Sequence, residues 1–148
     1  MLAAMPPLPE RISRFLLAHH VIGLALITDD GPWAASCFYA VDVSAARLLL
    51  LTSLSTRHGQ AMQADQRVAG TISGQPENWR DIRGIQLSGR AHHLQGDAAS
   101  QAMDLYCQRH PLARLGSHPI WSLEIDCIKY TSNRLVFGQK TLWQREAG

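Results

Sequence analysis

Gly84-Ile85-Gln86-Leu87-Ser88-Gly89-Arg90-Ala91-His92 sets Ile85, Leu87, Gly89 and Ala91 against Gln86, Ser88, Arg90 and His92. A period of two places alternate side chains on opposite faces, so Gly84–Leu94 predicts a strand half-buried against a core. The same texture continues on either side. Val21–Thr28 reads as a strand, Asp29-Asp30-Gly31-Pro32 as a turn, and Trp33–Asp42 as the returning strand of a hairpin. Ala46–Ser53 holds the run Leu48–Leu51, which suits a strand covered on both faces. Arg67–Ser73, Ile120–Thr131 and Leu135–Arg145 complete the set, the last two joined across Ser132-Asn133.

Helices are few and lie between these strands. Pro9 opens the first, with Ile12, Phe15, Leu16 and His19 recurring at helical spacing. Arg57 to Asp65 reads as a second. A third starts at Gly96-Asp97, with Asp97 as its N-cap and Ala98, Ala102, Leu105 and Tyr106 as its apolar face, and Pro111 stops it. Strands that do not alternate strictly with helices predict a mainly β (α+β) fold: an antiparallel barrel rather than a doubly wound sheet.

Composition bounds the function. The chain has 148 residues, 46% hydrophobic and 18% charged, which predicts one globular domain over 1–148 that buries roughly 68–70% of its unfolded surface. No apolar run approaches the ~20 residues of a membrane span, and no basic residue precedes an apolar stretch at the N-terminus, as a secretory signal requires. A net charge of +2 without a basic stripe argues against a nucleic-acid partner. Cys37, Cys107 and Cys127 are odd in number and far apart, as expected of free, mostly buried thiols in a reducing cytoplasm. The seven histidines form no HExxH or compact Cys/His set, so no metal site is expected.

Chemistry concentrates in Leu51-Thr52-Ser53-Leu54-Ser55-Thr56-Arg57-His58. A strand ends in hydroxyl residues and a helix begins with Arg and His in its first turn. Free N–H groups and the positive end of the helix dipole favour an anion there, and Arg57 can grip two phosphate oxygens. Cations in a first turn oppose the dipole, which also asks for a compensating anion. Spacing alone favours an ordinary helix start for the same residues, with Ser55 or Thr56 as cap and Arg57 and His58 solvated or paired with Asp65.

Thr56-Arg57-His58-Gly59-Gln60, Val68-Ala69-Gly70-Thr71-Ile72, Arg83-Gly84-Ile85-Gln86-Leu87-Ser88-Gly89 and Phe137-Gly138-Gln139-Lys140-Thr141-Leu142-Trp143 occur in the order and spacing of a known family. Over nearly its full length the chain resembles the FMN-binding split barrels of the pyridoxamine 5′-phosphate oxidase-like superfamily, and within it the YhbP-like branch. The resemblance implies a six-stranded split barrel, paired as a homodimer, with FMN in clefts at the subunit interface and an oxidoreductase role on a small molecule. It places the phosphate at Ser53, Ser55, Thr56, Arg57 and His58, the flavin ring along Ser36, Cys37 and Phe38, and Thr52 near the ribityl chain or ring edge. Lys140 and Trp143 would close the cleft from the partner. The superfamily's oxidases end on Arg-Leu-x-Pro, whereas this chain ends Trp143-Gln144-Arg145-Glu146-Ala147-Gly148, so pyridoxamine phosphate oxidation itself is not carried over.

Other readings of the residues stand beside this one. By alternation Cys37 shares a face with Trp33, Ala35 and Tyr39 and reads as a small buried hydrophobe. Cys107 and Cys127 read as core, and Trp143 fits core packing as well as cofactor contact. On the same scaffold, haem or a deazaflavin could replace FMN, and a cofactor-free dimer could serve as an interaction module. No residue is forced into an acid or base role.

Overall fold

The computed structural model describes residues 4–134 and 138–146. Helix α1 (Glu10–Ala18) follows Pro9 and buries Ile12, Phe15 and Leu16. Strands β1 (Val21–Thr28) and β2 (Gly31–Asp42) form a hairpin in which Val21 faces Phe38 and Thr28 faces Gly31. Gly31 has φ +112°, a left-handed conformation that glycine adopts without steric cost. Then come β3 (Arg47–Leu51), α2 (Arg57–Ala64), β4 (Arg67–Ser73), β5 (Arg83–His93), α3 (Gly96–Arg109), β6 (Ile120–Ser132) and β7 (Gln139–Gln144).

Every pairing is antiparallel, in the order β3-β2-β1-β4-β5-β6-β7, and β3 also pairs with β6. Six strands therefore close into a ring, and a seventh is added outside it. The expected six-stranded barrel is corrected to a seven-stranded sheet, and the reason lies in β6. One of its edges is taken by β5 along Trp121–Ser132. Its other edge is shared: Ile120–Glu124 pair with β3 and Cys127–Ser132 with β7. The barrel is split at that handover. The start of the expected last strand at Leu135 lies outside the described residues, as does Phe137.

Alternation fills the interior. Ile22, Leu24, Leu26, Leu48, Leu50, Ile85, Trp121, Leu123 and Ile125 are each 3% exposed or less and form one core, plugged at one end by α1. Each such side chain contributes about 1.5–3 kcal/mol relative to exposure. Leu49 points the other way, into a second cluster with Ala40, Ala102, Tyr106 and Ile120 under α3. The Leu48–Leu51 run is thus covered on both faces, as expected.

Two local expectations are corrected. Asp97 lies in the first turn of α3, and the cap position is Gln95, which makes no side-chain cap bond. Asp97 therefore complements the helix dipole without capping it. Cys127 is half-buried on the outer face, not in the core. A bulge after Ile125, opposite Ser88 and Gly89, inserts Asp126 and reverses the alternation, so that Ile128 and Tyr130 point inward instead. Gly89 permits it, because a Cβ there would strike the Glu124 carbonyl oxygen.

The outer face of the sheet carries small side chains. Ala34, Ala25, Ala69 and Ser88 lie side by side across β2, β1, β4 and β5, and Ser36, Gly23, Thr71 and Gln86 form the next row. Exposed Phe38 pairs with Val21 at its margin. Neither row contains a charged side chain. Among the described residues no helix is long and apolar enough to cross a membrane.

Candidate functional site

The β2–β3 ladder ends at Tyr39 and Leu50, and beyond it the chain runs through Thr52–Thr56 into α2. This turn is tightly specified. The Thr52 N–H donates to Pro119 O (3.2 Å), and its carbonyl accepts from the Trp121 indole N–H (3.2 Å). Thr56 is the N-cap of α2: its hydroxyl accepts from the Gly59 N–H (3.0 Å) and donates to Ser53 O (2.9 Å). Ser53 and Ser55 hydroxyls meet at 2.8 Å. A Cβ on Gly59 would run into Ser53 O, so only glycine lets the helix pack this close to the loop.

Two features suit an anion. The backbone N–H groups of Arg57 and His58 have no acceptor among the described residues, which leaves them directed outward at the positive helix end. Arg57 carries its guanidinium 3.8 Å above the Trp33 ring, held by cation–π attraction and without a carboxylate partner among the described residues. Asp65, the partner considered for it, pairs with Arg67 at 2.7 Å instead, which holds its carboxyl down at about 2. A cavity of about 400 Å³ on the hairpin side of Arg57 is lined by Asp29, Asp30 and Asp65. Its carboxylates make it unsuited to phosphate, which leaves the hydroxyl side of the loop.

His58 departs from the cationic role expected of it. Its Nε2 is hydrogen-bonded to the Thr52 hydroxyl, and burial pushes its pKa below the ordinary 6.5. The ring is a neutral strut between strand end and helix start. Because the folded value is depressed, the unfolded chain takes up the proton first, and stability falls as pH drops below about 6.5 towards the folded value. Wild type should therefore lose more of its denaturation midpoint between pH 7.5 and 5.5 than His58→Asn. Equal losses would show that the imidazole is not the titrating group.

The other expected site residues fall into two groups. Ser36 and Phe38 are exposed on β2 as it approaches the loop, with Phe38 stacked on His20 (5.8 Å, 9°) and edge-on to His110 (5.8 Å). His110 is itself fixed by Nε2 to Tyr39 O at 2.7 Å. Lys140 is exposed at the start of β7. In contrast, Cys37 is 8% exposed inside the barrel, where burial raises its thiol pKa. Thr52 is 7% exposed with its hydroxyl turned to His58. Trp143 is 5% exposed in the core of the chain that carries it, its indole donating to Pro6 O at 3.1 Å. Ser36, Phe38, Ser55 and Arg57 are therefore at the surface, while Cys37, Thr52 and Trp143 are buried. His20 and Trp33 were not singled out for the site. Their signal was only their place at the two ends of the β1–β2 hairpin.

No family model matches the chain. A UPF0306 protein of Haemophilus ducreyi is 47% identical over 143 residues, which is 95% of this chain and 98% of that one. The UPF0306 protein YhbP of Escherichia coli is 38% identical over 137 residues, 93% of each. Among solved structures, a heme binding protein from Mycobacterium smegmatis superposes with a TM-score of 0.76 at 19% identity, covering 94% of this chain and 60% of that one. A fad-binding protein from Mesorhizobium loti gives 0.66 at 19% identity, covering 80% and 87%. The chain belongs to the UPF0306 (YhbP) family, built on the split-barrel fold of the pyridoxamine 5′-phosphate oxidase-like proteins.

Proposed function

We propose that the protein binds FMN and acts as a homodimeric flavin-dependent oxidoreductase on a small molecule. The observation that carries this reading is the start of α2, where, among the described residues, two N–H groups without an acceptor stand beside two serine hydroxyls, and Arg57 in the same turn has no ion-pair partner. That donor set fits a phosphate monoester. Ser53, Ser55 and Arg57 would hold it, Thr56 and His58 would shape the loop around it, and Ser36 and Phe38 would border the ring. A bound flavin supplies hydride and electron transfer, while the chain supplies binding, orientation and exclusion of water.

The uncharged rows of β2, β1, β4 and β5 support the dimer. A broad face of small side chains can approach its symmetry mate closely, and no buried charge opposes the contact. Phe38 and Ser36 stand at that face, so a second copy would supply the missing wall of a flavin slot, with exposed Lys140 as its cation.

Purified protein should carry a flavin spectrum, or acquire one with added FMN, and sediment as a dimer at micromolar concentration. Arg57→Ala should weaken FMN by roughly 10–100-fold, the worth of one charge-assisted contact. Unchanged affinity would overturn the phosphate assignment.

One observation favours a second reading, in which haem is held without flavin chemistry. His20 is exposed beside Phe38, and its ring nitrogens have no hydrogen-bond partner among the described residues. A heme binding protein shares the fold. A Soret band lost in His20→Ala, with no FMN affinity, would select it.

A further inference from the structure

Six of the twelve arginines, Arg14, Arg47, Arg67, Arg90, Arg114 and Arg145, each reach a carboxylate. Of the six that do not, among the described residues, Arg11, Arg83 and Arg134 line one place. A cavity of about 520 Å³ between α1, the start of β5 and the end of β6 is lined by Arg11, Arg14 and Arg83, with Phe15 and Tyr130 as its floor. A second cavity of about 310 Å³ shares Arg11, Arg83 and Tyr130 with the first and adds Arg134. The two form one trough with cations at both ends. Its only lining carboxylate among the described residues, Glu10, is engaged by Arg14 at 2.6 Å. Four arginines against one glutamate exceed the +2 net charge of the whole chain.

The trough is separate from the Thr52–His58 loop. It opens beside Ala18 and His19, just before β1, whereas Trp33 and Arg57 sit where β1 pairs Leu26. Seven residues of extended chain place these on the order of 20 Å apart. Holding unpaired guanidinium groups close together sets like charges against one another, which a bound anion relieves, and their planar forks match phosphate oxygens two at a time. Arg83 is also steered, its guanidinium lying 5.9 Å over the Phe15 ring.

We propose that this trough is a second anion site, which takes a small molecule bearing two adjacent phosphate groups. Arg11 and Arg14 would grip one group, and Arg83 and Arg134 the other. This goes beyond the flavin reading and does not depend on it.

Calorimetric titration of the full chain with inorganic pyrophosphate at low ionic strength tests the proposal. Saturable binding is expected, weakened at least tenfold in the Arg11→Gln/Arg83→Gln double variant and again in Arg134→Gln, with circular dichroism confirming the fold of each. Arg57→Ala should keep this saturable binding, and so should wild type whose α2 loop is filled with saturating FMN. The proposal is overturned by absence of binding to wild type or by equal affinity in the double variant. Loss of binding in Arg57→Ala also overturns it, since the probe would then occupy the α2 loop. So does tight binding of a single-stranded oligonucleotide that pyrophosphate fails to displace, which would make the trough a nucleic-acid surface.

Discussion

Trp121→Ala is expected to destabilise the protein by about 3–5 kcal/mol, the range for deleting a large aromatic from a close-packed core. Trp121 is fully buried, sits opposite Leu50 in the β3–β6 ladder and packs against His93 (5.4 Å). It also does something a hydrocarbon could not. Its indole N–H is a donor to the Thr52 carbonyl, where the chain leaves β3 to build the loop. Removing the ring opens a cavity and strands that carbonyl, and a buried acceptor left unpaired costs about 1–3 kcal/mol by itself. Trp121→Phe separates the two effects, because it keeps most of the packing and loses only the N–H. The Phe variant should lie between wild type and Ala in urea midpoint, with an unchanged denaturant slope. It should also bind FMN more weakly, although residue 121 lies inside the barrel. A Phe variant with wild-type affinity would show that the loop holds its shape without this bond.

How much of this was legible in the sequence follows from the range of the interactions concerned. Period-two alternation is local, so β1, β2, β4 and β5 could be read directly, and Leu48–Leu51 announced burial on both faces. The capping chemistry of Thr56 was legible for the same reason: donor and acceptor are three residues apart. A barrel was expected, but which strands close it was not legible, because the β3–β6 pairing joins Arg47 to Glu124 and depends on a tertiary arrangement. Nor was the bulge at Asp126. One inserted residue leaves composition untouched yet turns Cys127 outward and Ile128 inward. At the site, Arg57 lies over Trp33 and Ser53 meets Ser55, while His58 turns inward to Thr52 and Trp143 to Pro6 O. In both cases a polar atom on a largely apolar ring found a specific partner. Which partner is available depends on how the elements pack, not on neighbouring residues.

Arg145→Met is expected to cost about 2–4 kcal/mol and to loosen the split itself. Arg145 follows β7 and lies at the point where β6 passes from β3 to β7. Its Nε donates to Ile125 O (2.8 Å), and one terminal nitrogen reaches Ala45 O (3.1 Å) and Ala46 O (2.7 Å), while its own N–H donates to Asp126 O (2.8 Å). One guanidinium thus satisfies carbonyls on both sides of the gap that the strand ladders leave open. Glu124 lies 3.6 Å away, but with both side chains partly solvated, this ion pair contributes less than the carbonyl bonds. Hydrogen bonds from a charged donor contribute about 1.5–3 kcal/mol each, and because these share one side chain they do not simply add. Methionine matches the length of the stem and supplies no donor, so the Ile125 and Ala45 carbonyls lose their guanidinium partner and Ala46 O keeps only the Ile125 N–H. Arg145→Lys keeps the charge but replaces a planar fork with a point ammonium that cannot serve three acceptors in this geometry. The expected order of thermal midpoints is wild type, Lys, Met, with added salt recovering little of the difference. Hydrogen exchange gives the sharper readout: the Ile125 N–H, bonded to Ala46 O, and the amides of β7 should lose protection before those of β1 and β2. If Arg145→Met kept both its midpoint and the Ile125 protection, the ladders alone would close the split, and the arginine would be ornamental to the fold.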